Sequence, residues 1–114
     1  MIYSYVLIAL NNSLTVLGEY ELLLETKAIE PTEYIVKDIN SYRAISVMSV
    51  YSGGILGNTV VPISIYKNMA GKCVQSGFGT AYVAIVDYVS NTKMNAYVGG
   101  QNASNCTCKV YGIK

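Results

Sequence analysis

Histidine and tryptophan are both absent from this sequence, and phenylalanine occurs once. Without histidine, the chain lacks the side chain that most often moves protons near neutral pH, and also the commonest metal ligand. Charge is scarce as well: 13% of the residues are Asp, Glu, Lys or Arg, against roughly a quarter in an average soluble chain. That scarcity excludes a disordered charged tail and a coiled coil, both of which need many more charges. The net charge of +1 supplies no overall attraction to nucleic acid or to an anionic membrane. At 114 residues and 12.4 kDa, residues 1–114 form a single domain with no room for a second core.

Long hydrophobic runs are also missing. The start, Ile2 to Leu10, is apolar for nine residues before Asn11-Asn12-Ser13, whereas a membrane-spanning helix needs about 20. It has neither the basic start nor the small-residue cleavage site of a secretory signal. It reads as a buried strand, with no membrane insertion, in a protein made in the cytoplasm. On that reading the sequons at Asn11, Asn102 and Asn105 carry no sugar. Three cysteines are an odd count, and Cys106 and Cys108 lie two apart. In a strand both project from one face, a poor geometry for bonding each other. A zinc site would need a fourth ligand, so the expectation is buried free thiols, no metal and no cofactor.

What the chain does have is β-formers. Val, Ile and Thr supply 31 residues and Tyr another 11, and stiff branched or aromatic side chains suit pleated sheets. Short β-rich runs alternate with turn clusters at the spacing of sandwiches and barrels. They span 2–10, 14–25, 33–39, 42–52, 59–66, 73–76, 81–90, 93–98 and 106–113. Leu14–Ala28 also contains helix formers, but Gly18 and the β-rich neighbours favour strand there. The turns are too short for crossover helices. The expectation is therefore all-β: an antiparallel β-sandwich of about eight or nine strands, jelly-roll-like. Residues 1–57 carry −3 and residues 58–114 carry +4, which reads as clustering on solvated strand edges.

Catalytic signatures do not emerge. A nucleophile needs a base to activate it, and no histidine is present. The acids cluster in 19–38 on strands and loops that read as exposed. Gly71-Lys72 is followed by Cys73, not by the Ser or Thr of a phosphate loop. No catalytic residues are assigned, and the chain reads as a non-enzyme. The informative segment is 81–98, where Asn91-Thr92 reads as a two-residue hairpin turn. This turn pairs Ser90 with Lys93, Tyr88 with Asn95 and Val86 with Tyr97. Alternation then assigns Ala81, Val83, Ile85, Val89, Met94, Ala96 and Val98 to the core, with Asp87 out of place. The opposite face carries Tyr82, Tyr88, Lys93, Asn95 and Tyr97. That tyrosine–amide platform is the candidate ligand-binding or subunit-contact surface, because Tyr, Ser, Gly and Asn are the residues of adaptable binding surfaces. With so few charges, much of the surface must be apolar, which points to self-association.

Tyr42-Arg43-Ala44-Ile45 runs through Gly53-Gly54 into Val60-Val61-Pro62-Ile63, and the chain finishes with Tyr111-Gly112-Ile113-Lys114. With Glu19 to Leu24 upstream, this arrangement resembles small C-terminal β-sandwich domains of phage and prophage tail-fibre, baseplate or head-fibre proteins of gut Firmicutes. The resemblance covers 19–114. It implies a virion or tail-tip component, typically a homotrimer, that contacts other virion proteins and attaches to a bacterial cell surface such as its polysaccharide. It carries no catalytic residue over. The alternatives are a purely architectural capsid-decoration or head-fibre subunit with no receptor and, more remotely, a small cytoplasmic enzyme.

Overall fold

In the computed structural model, residues 19–69 and 73–114 are described. Eight strands account for most of them: β1 (Tyr20–Thr26), β2 (Thr32–Ile35), β3 (Ala44–Tyr51), β4 (Gly54–Pro62), β5 (Cys73–Phe78), β6 (Tyr82–Ser90), β7 (Lys93–Gly99) and β8 (Thr107–Ile113). A single helical turn, α1 (Ile63–Tyr66), follows β4. The strands form two four-stranded sheets, ordered β1-β8-β3-β4 and β2-β7-β6-β5. Every neighbouring pair is antiparallel. The fold is thus the expected all-β sandwich with eight strands. The pairs β1–β8 and β2–β7 are those of a jelly roll, but β3–β4 and β5–β6–β7 are consecutive hairpins, each within one sheet. A jelly roll would pair β3 with β6 and β4 with β5 and β7, so the jelly-roll-like order is only partly realised.

Alternation fills the space between the sheets. Ile45, Val47, Val110 and Cys108 from one sheet face Val74, Ala84, Val86, Met94, Ala96 and Val98 from the other, all buried. All three cysteines are free thiols, but only Cys106 and Cys108 are buried; Cys73 is half-exposed on the opposite side of its strand from the core. Burial pushes the Cys108 thiol up to about 12, so it packs as a small apolar group. On the β4/β5 side the sheets meet backbone to backbone. A methyl added at Gly57 would lie 2.5 Å from the Gly77 nitrogen, and Thr59 Oγ1 donates to the Gln75 carbonyl at 2.8 Å.

Several sequence-based boundaries are corrected. The stretch 59–66 is not one strand. β4 begins earlier, at Gly54, and ends at Pro62, after which Ile63–Tyr66 turns helically. Pro62 sets this break, because it is tolerated at the end of an edge strand and at the start of a helical turn. The strand expected at 33–39 is β2, which stops at Ile35; Ile39–Ser41 instead form a 3-10 turn. The segment around Glu21-Leu22-Leu23 is strand and not helix. The run 2–10 and the part of 14–25 before Glu19 lie outside the described residues.

One corner ties the chain together. Tyr42 lays its ring on Gly112, where an added Cβ would sit 2.5 Å from Tyr42 Cδ1. The Arg43 backbone N–H donates to the Ile113 carbonyl at 2.7 Å, and the Ile63 N–H donates to the Arg43 carbonyl at 2.9 Å. Arg43 Nη2 donates to the Lys114 carbonyl at 2.9 Å. Glu21 lies 3.2 Å from both Lys37 Nζ and Lys114 Nζ. These cations, Lys114 first, hold its carboxyl below the ordinary value. The motifs Tyr42-Arg43, Pro62-Ile63 and Tyr111-Gly112-Ile113-Lys114 therefore have a folding role: they meet in this corner. Gly112→Ala is expected to destabilise the protein by about 1–3 kcal/mol, the usual range for overpacking, read as a lowered urea midpoint. The added methyl should cost far less in a Tyr42→Ala background, since the clash is then gone.

Candidate functional site

The expected platform on 81–98 is divided by a single residue. Ser90 pairs with Lys93 as the turn dictates, but Val89 is a β-bulge, so Tyr88 pairs with Met94 and Val86 with Ala96. The expected pairs Tyr88–Asn95 and Val86–Tyr97 are therefore incorrect. Asp87 and Ile85 take those partners. One extra residue in a two-residue period reverses every side chain beyond it. On β6 the core is accordingly Ala84 and Val86, not Val83, Ile85 and Val89, while Met94, Ala96 and Val98 on β7 are buried as expected. The reversal also accounts for Asp87, which faces outward beside Asn95 and Cys73.

Of the five candidate residues, Lys93, Asn95 and Tyr97 stay on the outer face of β2-β7-β6-β5. They stand there with Ile85, Asp87 and Glu33, and Lys93 pairs with Glu33 at 3.6 Å. Tyr82 and Tyr88 pack against the core from the inner side. Tyr88 meets Tyr66 edge-on at 5.4 Å between centroids and donates to Asn91 Oδ1 at 3.0 Å. Its ring holds the hairpin turn to α1 and is not available as a platform. The charged residue at a supposed core position was the signal of the bulge, since Asp rarely faces a core unpaired.

Tyr82 leads to a different surface. Its ring meets Tyr51 at 4.8 Å between centroids, the planes tilted by 45°, at the end of the sandwich where β3 turns into β4, β5 into β6, and β7 into β8. Phe78 is 65% exposed beside them and Tyr51 is 38% exposed. The loops are fastened to one another: Gln101 N–H donates to the Thr80 carbonyl at 3.1 Å and Asn102 N–H to the Ala81 carbonyl at 2.8 Å. Gly100 permits this approach, with φ +98 and no room for a Cβ beside the Thr80 carbonyl. Ser52 and Gly53 take φ 51 and φ 80, the left-handed pair of a two-residue hairpin turn. Beneath the rings, Ser49 Oγ donates to the Tyr82 carbonyl at 3.1 Å and lies 3.2 Å from Cys106 Sγ.

Charge is partitioned by the fold. Residues 44–66, 73–86 and 94–108 contain no Asp, Glu, Lys or Arg, so these three loops form an uncharged tip of aromatic, hydroxyl and amide groups. The fourth connection at this end, residues 27–31 beside β7, carries Lys27 and Glu30. The corner around Glu21, Lys37, Arg43 and Lys114 lies at the opposite end of β3 and β8. The tip is thus a neutral surface of cross-bonded loops with the paired rings of Tyr51 and Tyr82 at its edge and amides of Gln101, Asn102 and Asn105 behind. Sequence inspection showed each piece, but not that residues 51, 78, 82 and 102 share one end.

A second feature is the outer face of β1-β8-β3-β4. Tyr20, Leu22, Tyr111, Ala44, Ser46, Met48, Val50, Ile55, Val60 and Pro62 fall on it by register. Leu22 and Val60 are each 49% exposed and Ile55 is 61% exposed. On the other sheet, partial burial raises the Asp87 carboxyl above its ordinary value. The folded state therefore binds that proton more tightly than the unfolded state does. The associated stability is present below the ordinary Asp range and lost as pH rises through the raised value. Asp87→Asn is accordingly expected to melt higher than wild type at pH 7. The gap should close as pH falls below 4, measured by thermal unfolding across pH. Compared with family models, curated proteins and solved structures, the chain matches none of them.

Proposed function

We propose that this chain is a non-enzymatic phage structural protein, a virion or tail-tip module that attaches to a host cell surface and works as a homotrimer beside other virion proteins. The single observation that supports this reading is the uncharged tip. Exposed Phe78 and Tyr51, the latter backed by Tyr82, offer rings to the apolar side of a sugar. The amides and hydroxyls of loops 51–54 and 100–105 are suited to its hydroxyl groups. A tip without charge favours an uncharged ligand, since no ion has to be desolvated or paired on binding. The ligand class is a neutral cell-surface polysaccharide.

The architectural reading, a decoration or head-fibre subunit with no receptor, is favoured by one different observation: the apolar outer face of β1-β8-β3-β4. The two readings separate by binding. Full-length protein is expected to sediment with isolated cell-wall polysaccharide of its host. Tyr51→Ala and Phe78→Ala should each weaken that binding about tenfold, the scale of one lost aromatic contact of roughly 1–1.5 kcal/mol. Tyr97→Ala, on the outer face of the other sheet, should leave it unchanged. Wild-type-like binding by both tip variants, or no binding by the wild type, would overturn the attachment reading.

A further inference from the structure

We infer that the outer face of β1-β8-β3-β4 is the contact between copies of this chain, with the same face of each copy turned toward a common symmetry axis. This rests on the self-assembly part of the proposed function and not on attachment. Four strands about 4.8 Å apart and seven residues long at about 3.3 Å each span about 440 Å² in projection. That is the scale of the largest apolar patch on a typical monomer, about 300–600 Å². It is also more than half of the about 800 Å² that each partner contributes to a stable contact.

Charge argues for a second copy over another partner. Identical faces carry identical charges, so a lone ion near the symmetry axis meets its own copy, and a face whose ions are already paired avoids that repulsion. Here Glu25 and Lys109 are the charged residues that fall on the face by register, and they neutralise each other at 4.0 Å across β1 and β8, in the row that continues through Met48 to the uncharged Asn58. On the outer face of the other sheet Glu33 and Lys93 also pair, at 3.6 Å, but Asp87 has no cation partner among the described residues, and that lone carboxylate opposes the same kind of pairing.

Shape agrees. Down the middle of the face runs a low strip, Ala44 and the fully buried Ser46, whose Oγ donates to Asn58 Oδ1 at 2.5 Å. Higher ridges flank it. Tyr20, Leu22 and Tyr111 stand on one side, with Tyr20 and Tyr111 edge-to-face at 6.1 Å, and Val60 and Pro62 on the other. The ridge of one copy fits the strip of the next, as side chains of two stacked sheets interdigitate.

Light scattering coupled to size exclusion on the full chain is the test. Wild type is expected to run as an oligomer, at about 37 kDa for three copies of 12.4 kDa. Leu22→Lys with Val60→Lys should reduce the mass to that of one chain while the circular dichroism spectrum stays that of a folded β-protein. Ile35→Lys, equally apolar and 80% exposed on the other sheet, should leave the oligomer intact. Should the double variant fail to fold, Ile55→Lys alone, at the margin of the face, is expected to weaken assembly at least tenfold. A monomeric wild type, an oligomer that survives both face variants, or dissociation by Ile35→Lys would overturn the inference. A wild type that runs as an oligomer but does not bind polysaccharide would count against attachment alone.

Discussion

The fold depends on the placement of β8. This last strand lies between β1 and β3, so one sheet is complete only when the C-terminal segment arrives. What admits it is a missing side chain: the Tyr42 ring occupies the space in which a Cβ of residue 112 would stand. Backbone bonds from Arg43 to Ile113 and from Lys114 to Glu19 then seal the strand at its end. Glu21, between Lys37 and Lys114, adds charge attraction where water is close. Exposed pairs of this kind contribute little individually. The packing of ring on backbone sets the geometry, and the ions follow from it. Since β3 and β8 connect residues far apart in the chain, the corner also makes the fold a long-range one, of the type that folds slowly.

From that corner the molecule separates two kinds of surface. Glu21, Lys37, Arg43 and Lys114 gather at the corner where β1 meets the end of β8, and three uncharged stretches of sequence converge at the other end. Turns that zip together through Gly100 and bring Tyr51 against Tyr82 make the neutral tip rigid. A rigid ring loses little conformational freedom when it meets a ligand. The outer face of β1-β8-β3-β4 is a third surface with another character: flat, apolar and internally neutral. A tip that contacts a ligand and a side that contacts another copy do not compete for the same residues. That division is compatible with the proposed attachment module of several copies.

Much of the architecture was legible in residue types. Branched and aromatic residues in short runs, separated by Gly, Asn and Pro, announced an antiparallel sandwich, and each sheet uses them as expected. The turn at Asn91-Thr92 was also readable, down to the Ser90–Lys93 pair. The inner face of β7, with Met94, Ala96 and Val98, followed from alternation. Pro62 was visible, but not that it ends β4 and starts a helical turn, because Pro is compatible with both a strand end and a helix start.

The candidate platform failed for a sharper reason. Alternation assigns faces only while pairing stays in register, and a bulge adds one residue with no compositional mark of its own. Val89 is an ordinary β-former, so nothing local distinguishes it from a paired residue; only Asp87 in the wrong place hinted at the slip. Composition and periodicity by themselves determined that the chain is a small, charge-poor, all-β domain with free thiols, because those properties are sums over residues or follow from a period of two. Tertiary structure alone decided which tyrosines face water, which three loops form the neutral tip and which sheet face is left apolar. Those depend on register and on contacts between segments distant in sequence, and single-residue preferences do not encode either.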